Sequence, residues 1–186
     1  NDAMSGKGTR VMLVDKGVDT TKTTLHNKNI DSEMIHVATT TNADYTATRD
    51  TGTHGSNMAE TITQTATDTH LHVAAFEKAG ISKILQMAAT HQQQKHADII
   101  NNSYTNGSSD NVQLGWFKYG ALDAVKQIVD SGALFLMATG NKGTTEADST
   151  ARLPELDASL KSSFLAVTGV DYDGKQKYNQ CGSAAE

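Results

Sequence analysis

The sequence predicts a doubly wound α/β fold, a mostly parallel twisted sheet with helices on both faces. Three observations predict it. Six short apolar runs recur along the chain, and they are continuous rather than alternating, as in strands covered on both faces. Stretches with helical apolar spacing separate several of them. The 186 residues suffice for one core of this kind and argue against two domains, and neither an internal repeat nor an interdomain linker interrupts them.

The first strand is expected over 11–15, where Val11-Met12-Leu13-Val14 ends on Asp15, with Gly17 placed for a sharp turn. A second apolar run follows at 34–38, and the polar stretch 39–53 reads as a surface loop. His54 then opens a helix built on small residues, His54-Gly55-Ser56-Asn57-Met58-Ala59-Glu60-Thr61-Ile62. The strand candidate 71–76 precedes a helix over 79–94, marked by Ile81, Ile84, Leu85, Met87 and Ala88, with Gln92-Gln93-Gln94 as its solvated end. After the strand candidate 98–103 and a loop at 104–112, one helix is expected over 112–130. Its stripe is Leu114, Phe117, Ala121, Leu122, Val125, Ile128 and Val129, and it stops at Ser131-Gly132. The runs 133–138 and 164–168 complete the strands, and 141–157 between them reads as a surface loop. Right-handed crossovers place the site of such a fold at the carboxyl ends of its strands.

A net charge of -5, with no Lys/Arg run, argues against a nucleic-acid partner. The longest apolar stretches are far too short for a membrane span, so no membrane contact is expected of this chain. Asn1-Asp2-Ala3 has neither the basic start nor the apolar core of a signal peptide, which fits a cytosolic chain or a mature secreted one. Abundant Thr, Asn, Gln and Ser lean toward the extracellular reading. The lone Cys181 stands open between a small buried residue, a free thiol and a half of a disulfide.

Three residues carry candidate chemistry. Alone, Asp15 reads first as the cap of the turn after its strand, and His54 as a helix cap or loop contact. Asn141 changes that balance. It follows the buried run Leu134-Phe135-Leu136-Met137-Ala138 and the turn Thr139-Gly140, where an amide can donate to a developing oxyanion. His70 and His72 share one face of a strand, as metal ligands would, but with no third ligand evident the pair reads as a surface or core feature.

In this order the elements resemble the subtilisin-like serine protease (subtilase) family. Val11 to Asp19 looks like its aspartate block, His54 to Ile62 is similar to its His-Gly-Thr-His-Val-Ala-Gly-Thr-Ile block, and Asp98-Ile99-Ile100-Asn101-Asn102-Ser103-Tyr104 resembles its Val-Ile-Asn-Met-Ser-Leu strand. Met137-Ala138-Thr139-Gly140-Asn141-Lys142-Gly143 looks like its Ala-Ala-Gly-Asn turn, and 164–171 like its Val-Ala-Val-Gly-Ala-Val-Asp. The resemblance covers essentially the whole chain and implies a serine endopeptidase of protein or peptide substrates. It implies that Asp15 supports His54, that His54 is the general base, and that Asn141 is the oxyanion donor. It also implies that Ser103, Tyr104 and Thr105 pair with an extended substrate, while Met137, Ala138, Thr139 and Gly140 line one wall of the specificity pocket.

Departures from the family pattern are Lys16 for Thr beside the aspartate, Lys22-Thr23-Thr24-Leu25 for His-Pro-Asp-Leu, Asn57 for a second His, and Glu60 for Gly. Thr105 for Gly is expected to narrow the pocket entrance, against a broad preference for large aromatic residues. The Gly-Thr-Ser-Met-Ala block that carries the nucleophile appears nowhere in the sequence. Residues 1–186 are therefore read as the N-terminal portion of one peptidase domain, with a complementary C-terminal fragment supplying the serine and covering an otherwise exposed apolar surface. The alternative is an inactive pseudoprotease or peptide-binding domain. Tyr178-Asn179-Gln180-Cys181-Gly182 resembles a stretch of bacterial autotransporter subtilases, which implies a secreted or cell-surface protein and a disulfide from Cys181 to a cysteine beyond Glu186. No cofactor is expected. The resemblance makes structural calcium possible, with Asp and Glu of 143–157 as candidate ligands, although their spacing is not diagnostic.

Overall fold

The computed structural model describes residues 5–31, 35–38, 53–77 and 79–175. Six strands form one sheet: β1 (Arg10–Asp15), β2 (Ile35–Ala38), β3 (His70–Glu77), β4 (Ile99–Asn102), β5 (Leu134–Ala138) and β6 (Phe164–Val167). Their order is β2-β3-β1-β4-β5-β6 and every pairing is parallel. All six apolar runs are therefore strands, and the fold is the doubly wound α/β sheet read from the sequence.

Side chains of β1 alternate between two cores, as a pleated strand requires. Val11 and Leu13 face Leu71, Val73 and Ala59, the last on helix α1 (His54–Thr65). Met12 and Val14 face the larger core beneath α2 (Ile81–Lys95) and α4 (Ala121–Asp130), with Ile84, Leu85, Val125, Ile128 and Phe135. Both faces of the sheet are thus covered at β1, which is why that strand is apolar from Val11 to Val14. From β1 the chain crosses to the edge strand β2 and returns to β3, then passes to the other side of β1 for β4, β5 and β6, so the strand order reverses beside β1. A crevice at the carboxyl ends of the strands is expected there.

Three readings change. The stretch 112–130 is two helices, α3 (Asn111–Phe117) and α4, rather than one. The break falls at Gly120, whose φ of 95° suits glycine and whose Cβ would sit 2.6 Å from Gln86 Nε2 of α2. Gln92 is buried rather than solvated, and its amide holds both the N–H and the carbonyl of Ala97 where the chain leaves α2 for β4. Residues 147–153, expected on a surface loop, are buried. Several of their polar groups are bonded inside: the Ser149 N–H and hydroxyl donate to the Ser108 carbonyl, and Arg152 donates to the Ser109 carbonyl and Asn111 Oδ1. Among the described residues no helix is long and apolar enough to cross a membrane. The expected loop 39–53 lies outside the described residues except for Thr53, as does Cys181.

Candidate active site

β1 delivers Asp15 to the carboxyl edge of the sheet and leaves it 2% exposed. The Lys16 N–H donates to Asp15 Oδ1 at 2.8 Å, so the buried carboxylate is partly satisfied by the turn that follows it. Gly17 makes that turn at φ 101°. The helix cap is Thr53, not His54: Thr53 takes a left-handed φ of 64° and makes no side-chain capping bond. Such a conformation is strained for a β-branched residue and typical of constrained sites. His54 is then the first helical residue, with Nδ1 2.9 and 3.0 Å from the two Asp15 carboxylate oxygens. One edge of the ring is committed to Asp15, while 48% of the side chain remains exposed.

The helix reaches this position because Gly55 lets it touch the β1 turn. A Cβ on Gly55 would lie 2.0 Å from the Gly17 carbonyl oxygen and 3.4 Å from Asp15 Cβ. Ser56 Oγ accepts the Asp19 N–H at 3.0 Å, adding a second tie between helix and loop. Several departures noted in the sequence meet here. Glu60 accepts from Thr24 Oγ1 at 2.7 Å and lies 3.6 Å from Lys22 Nζ. The unusual loop residues and the unusual helix residue are thus each other's partners. Lys28 Nζ donates to the Thr63 carbonyl farther along α1, and the Lys16 and Asn57 side chains are exposed.

The register pairs Val14 with Asn102 and Asn102 with Met137, so β1, β4 and β5 end at one level. Met137 and Thr139 are buried, Ala138 ends β5, and Gly140 turns the chain at φ 110° toward an exposed Asn141. The Thr139 N–H donates to Val167, and its carbonyl accepts from Asp148. Lys142 bonds the Gly107 carbonyl, tying the turn to the loop after β4. On that loop Ser103 Oγ accepts from Asn101, and Thr105 Oγ1 accepts the Gly107 N–H at 3.3 Å. Tyr104 points inward. Its hydroxyl donates to Asn102 Oδ1 at 3.0 Å, its ring meets Phe76 edge-on at 4.8 Å, and burial together with the charge of Asp15 holds the phenol above its usual range. A cleft of about 610 Å³ opens beside Thr105 and Asn106, bounded by Gln113, Phe117 and the start of α2.

Of the acidic residues in 143–157, Glu155 is paired with Arg152 and Asp157 with Lys126, while Asp148 Oδ1 accepts from Thr150. The one His/Asp/Glu grouping among the described residues is elsewhere, where Asp31 joins His70 and His72. The sequence reading missed Asp31 because it lies about forty residues away, beyond any spacing signal.

The model of the subtilase family (Peptidase_S8) matches residues 6–183. Among solved structures, a lanthipeptide protease is similar with a TM-score of 0.74 at 18% identity, over 99% of this chain and 56% of that one. The prenylagaramide maturation protease PagA gives 0.65 at 18%, over 95% and 60%. The psychrophilic subtilisin-like protease Apa1 from the Antarctic psychrotroph Pseudoalteromonas sp. AS-11 gives 0.70 at 15%, over 100% and 42%. At these identities the likeness is one of fold, and the chain spans between 42% and 60% of the length of these three structures. No curated protein sequence matches the chain.

Proposed function

Because the chain belongs to the subtilase family, we propose that it is the Asp- and His-bearing part of a serine endopeptidase whose nucleophilic serine lies on a segment outside these 186 residues. The carrying observation is the contact of His54 Nδ1 with both oxygens of the buried Asp15 carboxylate, at 2.9 and 3.0 Å. An acceptor there fixes the proton on Nδ1 and leaves the Nε2 lone pair for a hydroxyl. In the proposed reaction the serine oxygen attacks the peptide carbonyl as its proton passes to Nε2. His54 returns that proton to the leaving amine, and water then releases the acyl group by the same route. Asn141 donates to the oxyanion, a role commonly worth about 3–4 kcal/mol.

The substrate is an extended peptide laid along Ser103-Tyr104-Thr105, with Met137 to Gly140 as one pocket wall. Because the Tyr104 side chain is turned into the core, only its backbone serves that edge. A peptide substrate is also in keeping with the fold's presence in a lanthipeptide protease and in the PatG macrocyclase solved in complex with peptide. The exposed Leu165 and Val167 on the edge strand β6, with Val170 and Tyr172 after it, support the idea that a complementary segment packs there. The similarity of Tyr178-Asn179-Gln180-Cys181-Gly182 to autotransporter subtilases extends the proposal to a secreted or cell-surface protein with Cys181 in a disulfide.

A fluorophosphonate probe tests the reading on the intact protein, or on this chain combined with its complementary segment. One serine should be labelled, and His54→Ala should abolish labelling while leaving the fold. Absence of any labelled serine in the folded protein would overturn the enzyme reading in favour of a peptide-binding pseudoprotease.

A further inference from the structure

Away from the Asp15 edge, three side chains that the proposed mechanism leaves unused converge. His70 and His72 stand two residues apart on β3, on the face covered by α2. Asp31 reaches them because the Ile30-Asp31 segment pairs with the start of β3, the Asp31 N–H donating to the Leu71 carbonyl at 2.9 Å. One carboxylate oxygen lies 2.7 Å from His70 Nε2 and the other 2.5 Å from His72 Nδ1. The register sets Arg10 opposite His70 and Asp15 opposite Ala75, so the cluster begins five residues, roughly 16 Å, down the strands from the candidate active site.

We propose that Asp31, His70 and His72 form a zinc-binding site, with water as the fourth ligand and the Lys95 ammonium as the occupant when the ion is absent. Two imidazoles and one carboxylate, leaving one open position, match the ligand number and type of Zn²⁺ sites. Calcium is disfavoured because it takes six to eight oxygens and the cluster offers one carboxylate. All three donor groups lie within 4.8 Å of one another. Tetrahedral ligands at zinc bond lengths are about 3.3 Å apart, so the two short contacts must open by less than about 1 Å, and donors as far apart as 4.8 Å must close by about 1.5 Å, to admit the ion.

Burial opposes ionisation of Asp31, but hydrogen bonds from His72, His70 and Lys95 outweigh it and bring its carboxyl down to about 2. Burial pushes His72 below its usual range against the pull of Asp31.

Two features limit affinity. Lys95 Nζ lies 3.2 Å from Asp31 Oδ2 and must give way, which its partly exposed flexible chain allows. His72 Nε2 is buried without a hydrogen-bond partner among the described residues, so no acceptor braces the ring as metal-binding imidazoles usually are. Missing bracing of that kind typically costs 10–100-fold, which places the expected affinity near micromolar rather than that of a tight structural site. The bound ion would fasten the 16–31 loop, which follows Asp15 and packs on α1, to β3. The proposal does not depend on the peptidase reading.

The test uses tag-free, EDTA-treated protein and zinc or cobalt chloride alone. One equivalent of Zn²⁺ should bind by calorimetry, raise the melting temperature, and resist millimolar calcium. Cobalt should give the intense visible bands of a tetrahedral centre. His70→Ala and His72→Ala should each weaken binding by about 100-fold or more, and Lys95→Met, which keeps all three ligands, should tighten it by about tenfold. Should the histidine variants fail to fold, the cobalt spectrum and Lys95→Met still decide. Zinc binding that is absent, unchanged in the folded histidine variants, or unaffected by Lys95→Met would overturn the site.

Discussion

Gly55→Ala tests whether helix α1 is held against the β1 turn as tightly as the structure shows. The added Cβ would stand 2.0 Å from the Gly17 carbonyl oxygen and 3.1 Å from its carbon. An ordinary carbon–oxygen contact is about 3.2 Å, so helix and turn must part by roughly 1 Å. Gly17 cannot readily swing its carbonyl aside, being buried and already at φ 101°. The bonds from His54 to Asp15, at 2.9 and 3.0 Å, stretch past hydrogen-bonding range after a retreat of about 0.6 Å. Overpacking of this kind costs about 1–3 kcal/mol, offset by at most about 1 kcal/mol of helix propensity. Urea denaturation should therefore show a net loss of about 1–2 kcal/mol. Nitrogen-15 NMR of His54 should show its Nδ1–H proton no longer fixed, and in the assembled peptidase kcat/KM should fall about 100-fold or more. Wild-type stability together with an unchanged His54 tautomer would refute the reasoning.

Gly115, inside α3, has nothing within 4 Å of its Cβ position, so Gly115→Ala should raise stability by about 0.5–1 kcal/mol in the same denaturation assay and serves as the control. A double-mutant cycle of Thr24→Ala and Glu60→Ala should return a coupling of about 0.5–1 kcal/mol, and a value of zero would mean that loop and helix changed independently. In metal-free protein Asp31 contributes stability that is fully present above its ordinary value of 3.8 and lost as pH falls toward about 2. Acid unfolding followed by circular dichroism should therefore lose about 1–2 kcal/mol through this window, after allowance for solvent screening, and Asp31→Asn should flatten that limb.

The strands were legible because a sheet covered on both faces forces continuous apolar runs, and runs such as 11–15 and 133–138 carry that signal locally. Asp15, His54 and Asn141 were legible as candidates for a related reason: each sits at the end of such a run or the start of a helix, where the fold places its crevice. The break at Gly120 was not legible, because the apolar stripe continues across it and only the approach of Gln86 requires the glycine. Residues 147–153 misled for a similar reason. Ser149 and Arg152 read as solvent-facing until the carbonyls of 108 and 109 are present to receive their hydrogen bonds.

The departures from the family pattern show the same limit. Read singly along the chain, Glu60 is a charge on the helix that carries the candidate base, and Lys22 and Thr24 are losses from a familiar block. Brought together, they form one contact that holds the loop after Asp15 to the helix that begins with His54. Asp31 with His70 and His72 repeats the lesson across the sheet, with a pair that had no third ligand gaining one only when β3 comes to lie beside residue 31. Spacing along the chain detects chemistry that one strand or helix can hold by itself. Chemistry shared between distant segments is fixed by sheet register, and register here is set by which apolar faces are buried, not by the polar residues that later use it. The polar contacts at Glu60 and Asp31 can therefore change without altering the fold, whereas Gly55, on which the seating of α1 rests, cannot.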